Sequence, residues 1–271
     1  MDILIIGCGY IGADLANKLQ QEGHGTTCTT TKKLNLEKIN PVTRKALLLT
    51  SSDSELLKQL ISENDVIILS IAPNINNRYD EDTLSMSQAI LNIAQTTTHP
   101  KQCIFTSRTN VYGDHKGMWV DENSSLNPYN DQIQMIIDAE HAILSTTKNH
   151  WKSTILRIPF VYGPGRELSK ELNLFENRPL LGKNFYTNML HKEDLISVIS
   201  FAINHNCEGI YNVCDDDHPT RKELLDEIIE KTHAKKIEVK DLPAIEGNAR
   251  VSNHKIKERG FILKHPHRLI N

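Results

Sequence analysis

Short apolar runs alternate with amphipathic stretches along most of the chain. ILII (3–6), TTCTT (26–30), ALLL (46–49), VIILSIA (66–72), QCIFT (102–106), STILRIPFV (153–161) and IYNV (210–213) read as strands. Between them, apolar positions recur at helical spacing near 11–21, 53–62, 82–96, 131–147 and 195–204. Strands that are apolar on both faces, separated by helices, indicate a parallel sheet covered on both sides. The fold class is therefore α/β, a doubly wound parallel sheet with right-handed crossovers.

After residue 163 the pattern loosens. YGPGRELSKELNLFENRPLLGKNFYTN is punctuated by Gly, Pro and Asn. A last helix begins near Thr220 in PTRKELLDEIIEKTH, and VSNHKIKERGF forms a small terminal element. This predicts a sheet domain over 1–160 and a smaller C-terminal lobe over 161–271, with about 191–214 returning to the sheet.

The chain has 271 residues, 39% of them hydrophobic, and a net charge of −3. That length supports a large core, and that charge gives no reason to expect nucleic acid or an anionic membrane as partner. The apolar runs fall far short of the roughly 20 residues that span a bilayer. The first residues lack a basic segment and pass straight from strand to turn, unlike a signal peptide. The five cysteines are scattered, with no C-x-x-C, which fits reduced thiols in a cytoplasm. HPH at 265–267 has no partner cluster nearby in sequence, so no metal site is expected.

One turn carries chemistry. ILIIGCGYIGADLANKLQ is a buried strand, then Gly7-x-Gly9-x-x-Gly12, then a helix. In that context Gly7 permits the turn, Gly9 admits a pyrophosphate to the backbone, and Gly12 lets the helix pack closely. Tyr10 and Ile11 complete the loop, and the helix N-terminus offers free N–H groups to phosphate. An acid about 20 residues past the glycines would bind the ribose of NAD. TTTKK stands there instead, so Thr31 and Lys32 favour the 2′-phosphate of NADP over NAD.

GCGYIG, IFTSRTNVYGD (104–114), NPY (127–129), LRIPFVYGPGR (156–166), HKEDL (191–195) and YNVCDDDHPT (211–220) follow one another in an order that resembles the extended short-chain dehydrogenase/reductases, the NAD-dependent epimerase/dehydratase group. The glycine spacing is that of its atypical members. The resemblance implies a Rossmann-like fold with a C-terminal substrate lobe. It also implies nicotinamide cofactor contacts from Ala72 and Pro73 after the fourth strand, Thr106 at the end of the fifth, and Pro159 and Val161 after the sixth. Such proteins often pair through helices on the sheet, so a homodimer is expected.

In that family a Ser/Thr, a Tyr and a Lys four residues on act together on a hydroxyl or carbonyl. Tyr129 matches the tyrosine and would touch both substrate and cofactor. The lysine position is Ile133, and the Ser/Thr position is Arg108. Ile133, Ile136, Ile137 and Leu144 share a helical face, which reads as packing. A tyrosine without a neighbouring cation keeps a pKa of about 10 and is a poor base at neutral pH. Two repairs are open: Arg108, permanently charged, replaces the lysine or grips an anionic substrate, or Ser107 or Thr109 supplies the missing hydroxyl. Arg108 paired with Asp114 or Glu122 is the structural alternative. Arg166 and His191 are further candidates for substrate contact, and Asp194 for capping a helix from 195. The acid pair of the family's 4,6-dehydratases would fall on Thr109 and Asn110, so that reaction is not expected. The expected function is NAD(P)-dependent oxidation or epimerisation of a small, anionic hydroxyl or carbonyl compound through a degenerate site. The alternative is a non-catalytic NAD(P)-binding sensor or interaction protein.

Overall fold

The computed structural model describes residues 1–71, 79–99, 101–170, 181–233 and 247–270. Its strands are β1 (Asp2–Ile6), β2 (Gly25–Thr30), β3 (Lys45–Leu48), β4 (Val66–Leu69), β5 (Gln102–Arg108), β6 (Trp119–Val120), β7 (Lys152–Ile158), β8 (Phe160–Tyr162), β9 (Met189–His191), β10 (Gly209–Asn212) and β11 (Arg250–Val251). The main helices are α1 (Gly12–Gln21), α2 (Lys33–Ile39), α3 (Ser54–Glu63), α4 (Tyr79–Ala94) and α5 (Asp131–Ser145), followed by Lys192–Asn204, Arg221–Thr232 and the short His254–Glu258.

Seven strands form one sheet in the order β10-β7-β5-β4-β1-β2-β3. The registers from β3 through β2, β1 and β4 to β5 are all parallel. The fully buried Ile3, Leu4 and Ile5 explain why β1 reads as an unbroken apolar run: it lies between β2 and β4 with both faces covered. β3 is a short outer strand and carries Lys45 exposed, a common way to blunt a sheet edge. The order reverses at β1, with β2 on one side and β4 on the other. In such sheets ligands bind beyond the carboxyl ends of the strands at this switch point.

Two compact units divide the chain. The first comprises 1–107, 130–156 and 196–210. Its core gathers Leu4 and Ile6 of β1, Ile67 and Leu69 of β4, Phe105 of β5, Ile90 of α4 and Ile143 of α5. The second comprises 108–129, 157–195 and 211–271. It holds two small parallel pairs, β6 with β11 and β8 with β9, and a core of Tyr162, Leu168, Met189, Leu224, Leu225 and Ile228. A single division at 160 therefore misplaces 108–129, which fold with the second unit. They leave β5 through a short turn, Thr109–Tyr112, and Asn127 N–H returns to the Val111 carbonyl at 3.2 Å.

Two further differences have simple causes. The strand expected over 153–161 is split at Pro159, which has no N–H to donate to a ladder, so β7 stays in the large sheet while β8 pairs with β9. The helix expected from 195 begins at Lys192. Asp194 lies in its first turn, and its two carboxylate oxygens accept from the backbone N–H groups of Lys264 (2.6 Å) and His265 (3.0 Å). It anchors the tail.

Candidate functional site

The first unit carries a cavity of about 200 Å³ at the carboxyl ends of β1 and β2. Gly7 and Gly9 line it, with Thr29, Thr30, Thr31 and Lys32 from the end of β2. Gly7 N–H and Cys8 N–H both donate to the Thr29 carbonyl, at 3.2 and 2.8 Å, tying the glycine turn to β2. Gly7 has φ +93°, and a Cβ there would stand 2.6 Å from the Ser70 carbonyl oxygen. Only glycine meets both conditions. Gly12 serves packing, since a Cβ at that position would lie 2.6 Å from the Cys8 Cβ. A glycine-shaped cradle at the switch point, next to the start of a helix with no side-chain cap, fits the phosphates of a dinucleotide.

The structure sorts the cofactor residues expected from sequence. Gly7, Gly9, Thr31 and Lys32 reach this cavity. Tyr10, Ile11 and Gly12 do not line it. Thr106 is turned inward, its hydroxyl donating to Ser70 Oγ at 3.2 Å. Ala72 and Pro73 lie outside the described residues. Sequence spacing missed Asn35, Thr50, Ser51 and Asp82, which also line the cavity. Asn35 sits in α2 and donates to Thr30 Oγ1 at 3.2 Å, beside Lys32. Thr50 and Ser51 follow β3, where a run of small polar residues after a strand was the available signal. Lys32 and Asp82 thus place opposite charges on one cavity.

A second cavity, of about 400 Å³, lies within the second unit. Tyr129 lines it, with Thr109, Asn110, Asn188, Arg221 and the exposed ring of Phe160. Its shape depends on two glycines. A Cβ on Gly113 would stand 1.9 Å from the Asn127 carbonyl oxygen, and one on Gly247 would stand 2.2 Å from the Gly113 carbonyl oxygen. Backbone passes directly over backbone, and the segment leading to Tyr129 is held in place. Tyr112 is held from beneath: its hydroxyl donates to Asn212 Oδ1 at 2.7 Å and accepts from the buried Arg157 at 3.1 Å. Burial pushes its pKa up to about 12, only partly offset by Arg157. Glu122, weighed above as a partner of Arg108, accepts from Asn212 N–H at 2.7 Å.

The catalytic candidates separate as well. Ser107 is fully buried, and its hydroxyl donates to Glu140 Oε1 at 2.5 Å, so it faces the core of the first unit. Ile133 is 3% exposed. Tyr129 precedes α5 altogether: Asn130 is the N-cap, accepting from Ile133 N–H at 2.9 Å. Positions 129 and 133 are therefore not one turn apart on a helical face. Arg108 ends β5, half-buried, and does not line the second cavity. Among the described residues, the arginine on that wall is Arg221, which follows the Thr220 capping box that starts its helix. Arg166 is exposed at a bridge with Gly163, and His191 is buried against His265. Neither lines the cavity. Pro159 and Val161 flank Phe160 without lining it.

With this geometry in view, residues 3–214 match the model of the NAD dependent epimerase/dehydratase family. The chain belongs to that family. Several solved structures are similar to it in fold. A functionally unknown conserved protein from Silicibacter pomeroyi is 24% identical, with a TM-score of 0.78 over 98% of this chain and 94% of that one. dTDP-glucose 4,6-dehydratase from Bacillus anthracis, in complex with NAD, is 19% identical, with a TM-score of 0.82 over 98% and 92%. UDP-glucose 4-epimerase from Thermotoga maritima, with UDP-glucose, is 19% identical, with a TM-score of 0.80 over 97% and 94%. A comparison with curated proteins finds no match. No described helix is long and apolar enough to cross a membrane.

Proposed function

We propose that this family member is an NAD(P)-dependent oxidoreductase or epimerase acting on a hydroxyl or carbonyl of a small anionic compound. One observation carries this reading: Tyr129, the retained member of the family's acid/base set, lines a polar cavity rather than a packed interior. Bound at the glycine turn, the nicotinamide cofactor would supply hydride transfer. Tyr129 would exchange a proton with the substrate oxygen, and Thr109 and Asn110 would hydrogen bond that oxygen or its neighbours. Arg221 would pair with an anionic group and fix the substrate's orientation. Among the described residues the cavity wall bears no carboxylate, which supports redox or epimerising chemistry over dehydration through an acid pair.

Lys32 on the first cavity favours NADP by supplying a charge for a 2′-phosphate. Asp82 on the same cavity supports NAD, because an acid there repels that phosphate. Calorimetric titration of both cofactors into wild type and Lys32→Ala decides between them. Arg108 remains the candidate for lowering the Tyr129 pKa in place of the lost lysine. Its test is the pH–rate profile of Arg108→Ala, which should move to higher pH if the guanidinium favours the phenolate.

A second reading has its own support. Ile133 in the lysine position is packed, Arg108 stands in the Ser/Thr position without a hydroxyl, and the neighbouring Ser107 hydroxyl is committed to Glu140, so two of the three positions lack their usual group. On that reading the protein binds NAD(P) without turnover. A screen of hydroxyl and carbonyl compounds for cofactor reduction or oxidation, with Tyr129→Phe as control, separates the two.

A further inference from the structure

Outside both cavities, three potential metal ligands meet in the second unit. His191 closes β9, Glu193 follows in the first turn of the helix Lys192–Asn204, and His265 belongs to the C-terminal tail. One ligand atom of each lies within 4.8 Å of the other two. His265 Nε2 and Glu193 Oε2 are 3.1 Å apart. The two imidazole rings are tilted against one another with centroids 3.8 Å apart.

The group is held in place by its neighbours. Asp194, fully buried, binds the backbone N–H groups of Lys264 and His265 with its two oxygens, so the His265 ring is placed beside His191. The His191 ring fits because residue 163 is glycine; a Cβ there would lie 3.0 Å from His191 Nε2. Tyr162 meets the same ring edge-on at 5.2 Å. A ligand set fixed by its supporting residues loses little on binding a metal.

We propose that His191, Glu193 and His265 form a site for one divalent transition-metal ion of the zinc class. Two imidazoles and a carboxylate are the ligands of such ions, whereas magnesium and calcium prefer all-oxygen sets. Three protein ligands leave a further position for water or a small ligand. Lys264 places its ammonium on Glu193, so metal binding would displace it and Lys264 weakens the site. The bound ion ties the tail to the start of the helix. This site is independent of cofactor binding and turnover.

The test is calorimetric titration of the metal-stripped full chain with Zn²⁺, paired with the visible spectrum of Co²⁺. Wild type should bind one ion per chain tightly and give the intense bands of a low-coordinate Co²⁺ site. His265→Ala and Glu193→Gln should each weaken Zn²⁺ binding by about tenfold or more, and Lys264→Met should tighten it. Circular dichroism identifies which variants are folded, and the folded ones decide. Wild type without a tight site overturns the proposal. So does unchanged affinity in a folded His265→Ala or Glu193→Gln protein, which would place the ion on other histidines.

Discussion

The two cavities are built in different ways. That of the first unit lies at the carboxyl ends of parallel strands, where the fold itself creates an opening, and its central residue, Gly7, is fixed by one turn of backbone. That of the second unit is assembled from segments distant in sequence, around Gly113, Asn127, Gly247 and Arg221. A site made by topology tolerates change everywhere but at its turn, while a site made by loops depends on each crossing of backbone. The cavity at the glycine turn thus follows from the fold, and the Tyr129 cavity depends on the loops of the second unit.

The largest expected effects fall on the glycines. Gly7→Ala should abolish measurable cofactor binding by calorimetry, because the new Cβ meets the Ser70 carbonyl in a backbone conformation alanine adopts at a cost of about 1–2 kcal/mol. The chain should still fold with some loss of stability, because the Cβ also meets the backbone of Ser70 and Ile71, at 2.6 and 2.8 Å. Gly113→Ala should be worse for stability, lowering the unfolding free energy by about 3 kcal/mol or more in chemical denaturation, since backbone must move to admit it. If Gly113→Ala proves harmless while Gly7→Ala unfolds the protein, the contrast between the two cavities is reversed.

Ile133→Lys sharpens the comparison next. Restoring the family's lysine should not restore a site; it should cost about 2–4 kcal/mol, because the position is buried in the face of α5. Ser107→Ala should cost about 1–3 kcal/mol by leaving the Glu140 carboxyl without its short hydrogen bond, with turnover per folded molecule little changed. The smallest effect is Lys32→Ala. The residue is exposed, so stability should not move, and NADP affinity should fall by about tenfold with NAD affinity unchanged.

Much of the first unit was legible because its signals are local. Apolar strands such as Ile3–Ile6 and the glycine turn are each contained in a few neighbouring residues. α2 was missed because it spans seven residues and buries only Ile39, too little for a helical apolar pattern, and the break at Pro159 was read through because apolar residues flank it. The second unit was less legible for a physical reason. The approach of Gly113 to Asn127 and Gly247, the clamp of Asp194 on residues 264 and 265, and the pairing of His191 with His265 are all long-range contacts that leave no periodic trace. Tyr129 itself was found only by its resemblance to a family motif, and Arg221 entered only within the helix read from near Thr220.

The central claim is that Tyr129 transfers a proton in a nicotinamide-dependent reaction. The most direct measurement follows cofactor oxidation or reduction by wild type and by Tyr129→Phe over a panel of anionic hydroxyl and carbonyl compounds. The account expects turnover by wild type on at least one compound and a loss of about 10²-fold or more in kcat for the phenylalanine variant, with cofactor affinity retained. Equal turnover by the two proteins would contradict it.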